Sequence, residues 1–199
     1  MKNDIRVNLE NLNDNEREML LKLIEKANKG KQLSEVAIAD TFKLAGIEWI
    51  KFHEENGRAI IVAKDIVFNA KFDDDTNNFA ESSLLRKLEK EVLSKIEAEV
   101  GANNVLEFET DLWALDGTDE YGKMKSKISL PTVDFYRANR KIFSKHHIKK
   151  WWWLATPDST NNSGVRCVDV GGALGNDYCD SSGGVRPFLI LKSNIFVSC

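Results

Sequence analysis

Between residues 13 and 29 apolar side chains recur every three to four positions, with Met19, Leu20, Leu23, Ile24 and Ala27 on one face. That spacing predicts an amphipathic helix. Asn13 with Glu16 three residues on supplies a capping box at its start. Glu18 can pair with Lys22 on another face, and Gly30 provides a left-handed stop. From Leu33 the period shortens. Val36, Ile38, Phe42, Leu44, Ile47, Trp49, Ile50 and Phe52 predict short strands interrupted at Asp40 and Gly46. Asn56-Gly57 predicts a tight hairpin turn, because both central positions of such a turn need positive φ. Ala59-Ile60-Ile61-Val62-Ala63 then returns apolar on both faces, as a central strand does, so 47–64 reads as a β-hairpin.

The middle of the chain alternates polar loops with helices. Residues 71–78 form a loop in which Asp73, Asp75 and Asn77 have the spacing that opens a calcium site. Asn78 stands where that site needs Gly, and Leu84 where it needs the bidentate Glu, so the pattern disfavours calcium. The loop reads instead as a cap, with Asn78 as N-cap and Glu81 at the third position. The helix that follows buries Leu84, Leu85, Leu88, Val92, Leu93 and Ile96 and ends at Gly101. Residues 103–115 have Val105, Phe108, Leu112 and Trp113 to bury, and 116–122 form a loop. Residues 127–130 predict a strand, and a helix starts near Val133 with Phe135, Ala138 and Ile142 on one side.

The last quarter carries the strongest pattern. Trp151-Trp152-Trp153-Leu154 is too apolar for the surface and Pro157 stops it. Val165 to Val170 alternates, Gly171-Gly172 turns, and Ala173-Leu174 returns. Val185, Phe188 and Ile190, then Ile195 to Val197, close the sheet, so that Trp152 and the Ile190 strand lie in one sheet region. Between the apolar ends lie about thirty residues rich in Gly, Ser, Asn and Asp, a polar segment displayed on a rigid support. Antiparallel pairing would bring its turns out at one end. The residues expected to share that exposed face are Asp158, Ser159, Asn161, Asn162, Asn176, Asp177, Tyr178, Asp180 and Ser181. Arg166 and Arg186 are expected beneath them, anchoring the loops through carboxylates or backbone carbonyls.

Composition narrows the partners. A chain of 199 residues with 30% charged residues and a net charge of −3 offers no general attraction to nucleic acid or to anionic membrane. Every apolar run is far shorter than the ~18 residues of a membrane span. Met1 to Arg6 lacks the pattern of a signal peptide. The expected location is the cytoplasm, or a virion if the protein is a phage component. Three cysteines with no C-x-x-C pair argue against a disulfide framework and a zinc knuckle. Cys167 and Cys179 are symmetric about Ala173 and so could face each other across the hairpin, although two reduced thiols are the simpler expectation. His146-His147 among Lys145, Lys149 and Lys150 makes a basic knot that reads as a solvated helix end. There is no phosphate loop, nucleophile elbow or His-x-x-x-His pair, so neither catalysis, a cofactor nor a metal is expected.

Several of these segments carry a resemblance. Trp152-Trp153-Leu154, Pro157, the Gly-rich hairpin and Gly184-Val185-Arg186-Pro187 resemble an uncharacterised domain family of Gram-positive bacteria and their phages. Ile47-Glu48-Trp49, the strand from Ala59 to Lys64, Leu84 to Leu88 and Leu130-Pro131-Thr132 fit it too, over roughly 40–197. That family is similar to the C-type-lectin-like fold of formylglycine-generating enzymes and of phage receptor-binding variable proteins. In the latter, the same end segment carries surface residues diversified by a retroelement. The resemblance implies an α+β, C-type-lectin-like domain over 31–199, with an antiparallel sheet and flanking helices. A helical segment over 1–30 precedes it, able to pack on the domain or to self-associate.

The chain departs from its fold relatives at two places. Gly175-Asn176-Asp177 has no Trp, which disfavours calcium-dependent sugar binding, and eleven residues separate the two thiols that copper chemistry would need. The expected function is therefore a non-catalytic binding module of phage or prophage origin, recognising a protein or glycan through 158–182. A phage-encoded inhibitor of a host defence nuclease, anti-CRISPR-like, is the alternative in another class. A formylglycine-type thiol or copper oxidase comes third.

Overall fold

Asn56 and Gly57 take φ of 51° and 73°, the two positive values that a tight hairpin turn demands. They join β3 (Ile47–Glu55) to β4 (Arg58–Ala63), and this hairpin is the centre of one sheet. The computed structural model describes residues 12–20 and 30–198. Numbered along the chain, that sheet has the order β2 (Thr41–Leu44), β3, β4, β13 (Phe188–Lys192), β6 (Val105–Leu106), and every pairing in it is antiparallel. The second sheet has the order β11 (Leu174–Tyr178), β10 (Gly164–Val168), β9 (Trp152–Pro157), β12 (Gly183–Val185), β5 (Phe68–Ala70). Its one parallel pairing joins β12 to β9, with Gly184 opposite Trp152. Among the described residues two small ribbons complete the strands: β1 (Lys31–Gln32) with β14 (Phe196–Val197), and β7 (Phe108–Asp111) with β8 (Lys123–Ser126).

Trp152 and Ile190 thus lie in different sheets, which corrects the expectation of one. The physical reason is Arg186-Pro187. Their two residues separate β12 from β13 and carry the chain from one sheet to the other. All six residues of β9 are buried, so the strand is covered on both faces. Strand alternation then sends neighbouring tryptophans opposite ways. Trp153 enters a large core with Phe42, Trp49, Ile61, Phe72, Leu88 and Leu189. Trp152 enters a second core with Ile50, Phe52, Val62, Tyr136, Phe143 and Leu154.

The helices after residue 78 cover these cores, whereas residues 13–19 of the one before the sheets are exposed. α1, helical over 14–20, begins with the expected capping box: Glu16 N–H donates to Asn13 Oδ1 at 3.0 Å and Asn13 N–H to Glu16 Oε2 at 2.9 Å. Lys22 and the later part of its apolar stripe, Leu23, Ile24 and Ala27, lie outside the described residues. α2 (Ser83–Leu88) and α3 (Ser94–Val100) are joined by a π-helical segment, Glu89–Leu93. Asn78 caps a short 3-10 turn, and Ser82 caps α2 itself by accepting from Leu85 N–H, so two caps follow each other where one was expected. α4 (Val133–Ala138) and α5 (Arg140–Lys145) replace one continuous helix. The break is at Asn139, and the inward residues are Val133, Tyr136 and Phe143, while Ala138 is exposed. Residues 127–130 do not form a strand but join the first sheet through a single bridge, Ser129 to Phe188. The chain is an α+β protein whose helical segment at 14–20 precedes the sheets.

Candidate binding site

The polar segment begins at Asp158, directly after β9, and its backbone is held from a distant part of the chain. Asn77 is fully buried. Its side-chain amide faces three main-chain carbonyls, those of Asp158 at 3.0 Å, Asn161 at 3.0 Å and Gly164 at 2.8 Å. Two amide hydrogens cannot serve three acceptors singly, so one of them is shared. The backbone N–H of Asn77 donates to the carbonyl of Asn162, and its Oδ1 accepts from the Tyr121 hydroxyl at 2.7 Å. Residue 77 is therefore a clamp on the 158–164 loop, a role that supersedes the calcium spacing of 73–77. Asp73, the first position of that spacing, instead accepts from the N–H groups of Asp75 and Ser83. Among the described residues no cluster of three or more His, Cys, Asp or Glu side chains is placed to hold a metal ion.

Asp158 was expected on the exposed face and is buried beneath it. Its Oδ1 accepts from Thr160 N–H and Oγ1, and its Oδ2 from Asn176 Nδ2 at 3.1 Å and Arg166 at 3.0 Å. The Thr160 N–H, outweighing burial and helped by the Arg166 charge, holds this carboxyl below the usual carboxylate range. Arg166 thereby ties β10 to the loop. Arg186 anchors something else. Fully buried, it donates to the carbonyls of Ala63 at 3.0 Å and Lys64 at 3.1 Å and lies 4.8 Å from the Trp152 ring. It fastens the end of β4 and the second core rather than the polar loops. Burial lowers its pKa to about 10, still leaving it charged at neutral pH.

The remaining residues divide by what their side chains do. Asn161 accepts from Ser163, and Asp177 from Tyr178 N–H and Ser181 Oγ, so these side chains stabilise their own turns. Ser159 bonds Asp116 of the facing 112–121 loop, which depresses the Asp116 pKa. Asn162, Asn176, Tyr178 and Asp180 are exposed, Tyr178 by 61%. On β11, Leu174, Asn176 and Tyr178 face outward together, with Val170 exposed in the turn before them.

The register of β10 and β11 separates the two cysteines. Cys167 stands opposite Gly175, and Gly164 opposite Tyr178, so Cys179 lies beyond the ladder and does not face Cys167. The turn of this hairpin is centred near Gly171, not Ala173, because Asp169 draws it in by accepting from Gly171 and Ala173 N–H. Burial, with the charges of Asp177 and Asp169, pushes the Cys167 thiol up to about 11.

A cleft that sequence reasoning missed opens between the β7–β8 hairpin and α4, with a volume of about 430 Å3. Trp113, expected in the core, is 48% exposed at its mouth beside Leu115 at 44%. The available signal was local. Trp113 and Leu115 stand immediately before the polar run from Asp116 to Glu120, which marks them as the edge of an apolar stretch rather than its middle.

The structure therefore defines an α+β domain with a clamped polar loop at one end of its second sheet. Residues 56–193 match the family described as Domain of unknown function (DUF6273), and the chain belongs to that family. No curated protein and no solved structure matches it.

Proposed function

We propose that the chain is a non-catalytic binding module that recognises a protein or glycan on the face formed by residues 159–162 and 174–182. The observation that carries this reading is the clamp. A buried amide, a buried carboxylate and an arginine are committed to holding the backbone of a loop that exposes Asn162, with Tyr178 and Asp180 exposed after it. Fixing a loop in advance removes the ordering cost that binding would otherwise incur. Asn, Ser and Tyr side chains on such a loop supply adaptable hydrogen bonds and one amphipathic ring. The resemblance of Trp152–Leu154 and Gly184–Pro187 to phage and Gram-positive domains supports a C-type-lectin-like frame of phage or prophage origin, acting in the cytoplasm or in a virion.

The test compares the full chain with a Tyr178→Ala, Asn162→Ala double variant for capture of proteins and glycans from Gram-positive cells. Loss of the captured partner with an unchanged melting temperature is the expected result, since exposed substitutions stay within ~0.5 kcal/mol. Undiminished capture by the folded double variant moves the site away from this face, to the basic residues from Lys145 to Lys150.

A further inference from the structure

We propose that the cleft between the β7–β8 hairpin and α4 is a second binding site, and that it takes a neutral saccharide of one or two rings. None of the residues assigned above to the recognition face lines it. At about 430 Å3 it lies within the range of small-ligand sites. Its floor is apolar: Leu130, Pro131 and Val133 are buried, and the Phe135 and Phe188 rings meet edge to face at 4.9 Å. Its mouth carries Trp113. Of the other four tryptophans, Trp49, Trp152 and Trp153 are buried and Trp151 is half-buried. An indole left half in water beside an apolar floor offers a flat surface to the C–H face of a sugar ring.

The polar groups complete the match. Thr110 lines the cleft with a buried Oγ1 that has no hydrogen-bond partner among the described residues, a costly condition for a hydroxyl. Thr156 accepts from Val133 N–H at 2.9 Å and Thr132 from Phe135 N–H at 3.1 Å, so each keeps a hydroxyl proton to donate. The charged groups here already have partners: Asp134 pairs with Arg137, Asp111 with Lys123, and Glu109 with Lys123 and Lys125. An anion would meet three carboxylates, and a cation would compete with the lysines and the arginine that already pair with them. Sugar hydroxyls both give and accept hydrogen bonds, which suits a cleft lined by carboxylates, one guanidinium and three threonines as well as by apolar side chains.

Isothermal titration calorimetry of the full chain with maltose, cellobiose, lactose and N,N′-diacetylchitobiose tests this, a readout that does not depend on Trp113 itself. At least one disaccharide should produce a saturating isotherm with a Kd of ~1 mM. Trp113→Ala should weaken it about tenfold or more and Trp113→Phe much less, as stacking requires. Thr110→Val should weaken it severalfold without lowering the melting temperature, because no protein hydrogen bond is lost. Circular dichroism establishes that each variant is folded. The proposal is overturned if no sugar gives a binding isotherm with the folded chain at ~20 mM. It is also overturned if binding survives both Trp113→Ala and Thr110→Val. Occupation of the cleft by a tryptophan-containing tripeptide but by no sugar would assign it to a polypeptide instead.

Discussion

The side-chain amide of Asn77 donates to the main-chain carbonyl of Asp158 at 3.0 Å, across 81 residues of sequence. The same side chain reaches the carbonyls of Asn161 and Gly164, and so one residue closes the 158–164 loop. Asn77→Ala should cost about 2–4 kcal/mol, because it leaves several buried acceptors unpaired. Tyr121→Phe, which removes only one bond to Asn77, should cost about 1 kcal/mol. Urea denaturation measures both. Limited proteolysis of Asn77→Ala should cut first within 158–164, and cleavage elsewhere would argue against the clamp.

Asp158 makes stability depend on acid. Its folded pKa lies below the ordinary carboxylate value of ~3.9, chiefly because of the Thr160 N–H. A depressed carboxylate contributes stability that is fully present above the unfolded pKa and is lost as pH falls through the folded one. Asp158→Asn should therefore be less stable than wild type by about 1–3 kcal/mol at pH 7, where it also leaves Arg166 without its opposite charge. The gap should narrow below pH ~4 as the wild-type carboxylate becomes protonated. Urea midpoints at neutral and acid pH check this, and a gap of constant size would assign the effect to something other than charge.

Gly183 and Gly184 admit no side chain. A Cβ on Gly183 would lie 2.5 Å from Trp151 Cζ3 and Trp153 Nε1, and one on Gly184 would lie 2.2 Å from Ile66 Cδ1 and 2.7 Å from the Trp151 carbonyl oxygen. Either alanine substitution should destabilise by about 1–3 kcal/mol through overpacking. Thermal melting reads the loss. Gly46→Ala provides the comparison, since it meets no atom there and only its φ of 73° opposes the change.

Cys167 and Cys179 should resist alkylation in the native state. Burial raises both thiols, Cys167 to about 11, and leaves little thiolate at pH 8. Iodoacetamide followed by peptide mass spectrometry should label neither site until the protein is unfolded in urea. Rapid native labelling of Cys167 would mean that its strand opens readily.

The hairpin at Asn56-Gly57, the burial of Trp152 and Trp153 and the capping box at Asn13 were legible because each rests on local chemistry. Positive φ, apolar surface and reciprocal end bonds are all visible in a few neighbouring residues. The division into two sheets was hidden, because it depends on Arg186-Pro187 redirecting the chain over a distance that periodicity does not measure. Asn77 was hidden for a related reason. Its partners are main-chain carbonyls 81 to 87 residues away, and carbonyls leave no mark in a sequence. The motif Trp152-Trp153-Leu154 with Gly184-Val185-Arg186-Pro187 was visible as a pattern but not as a cause. It is one packing unit, in which the glycines admit the tryptophans and Arg186 covers Trp152. Trp113 was placed in the core because apolar content alone cannot distinguish a core residue from a cleft wall.

Because Asn77 grips only main-chain oxygens, its hold is blind to the side chains that the loop presents. Ser159 and Asn162 could be exchanged for other residues without removing a single bond of the clamp, provided the backbone path is kept. The domain is thus suited to loop grafting. Libraries randomised at positions 159, 162, 178 and 180, with Asn77, Asp158, Gly164 and Arg166 fixed, would vary the outer surface while retaining the bonds that shape it.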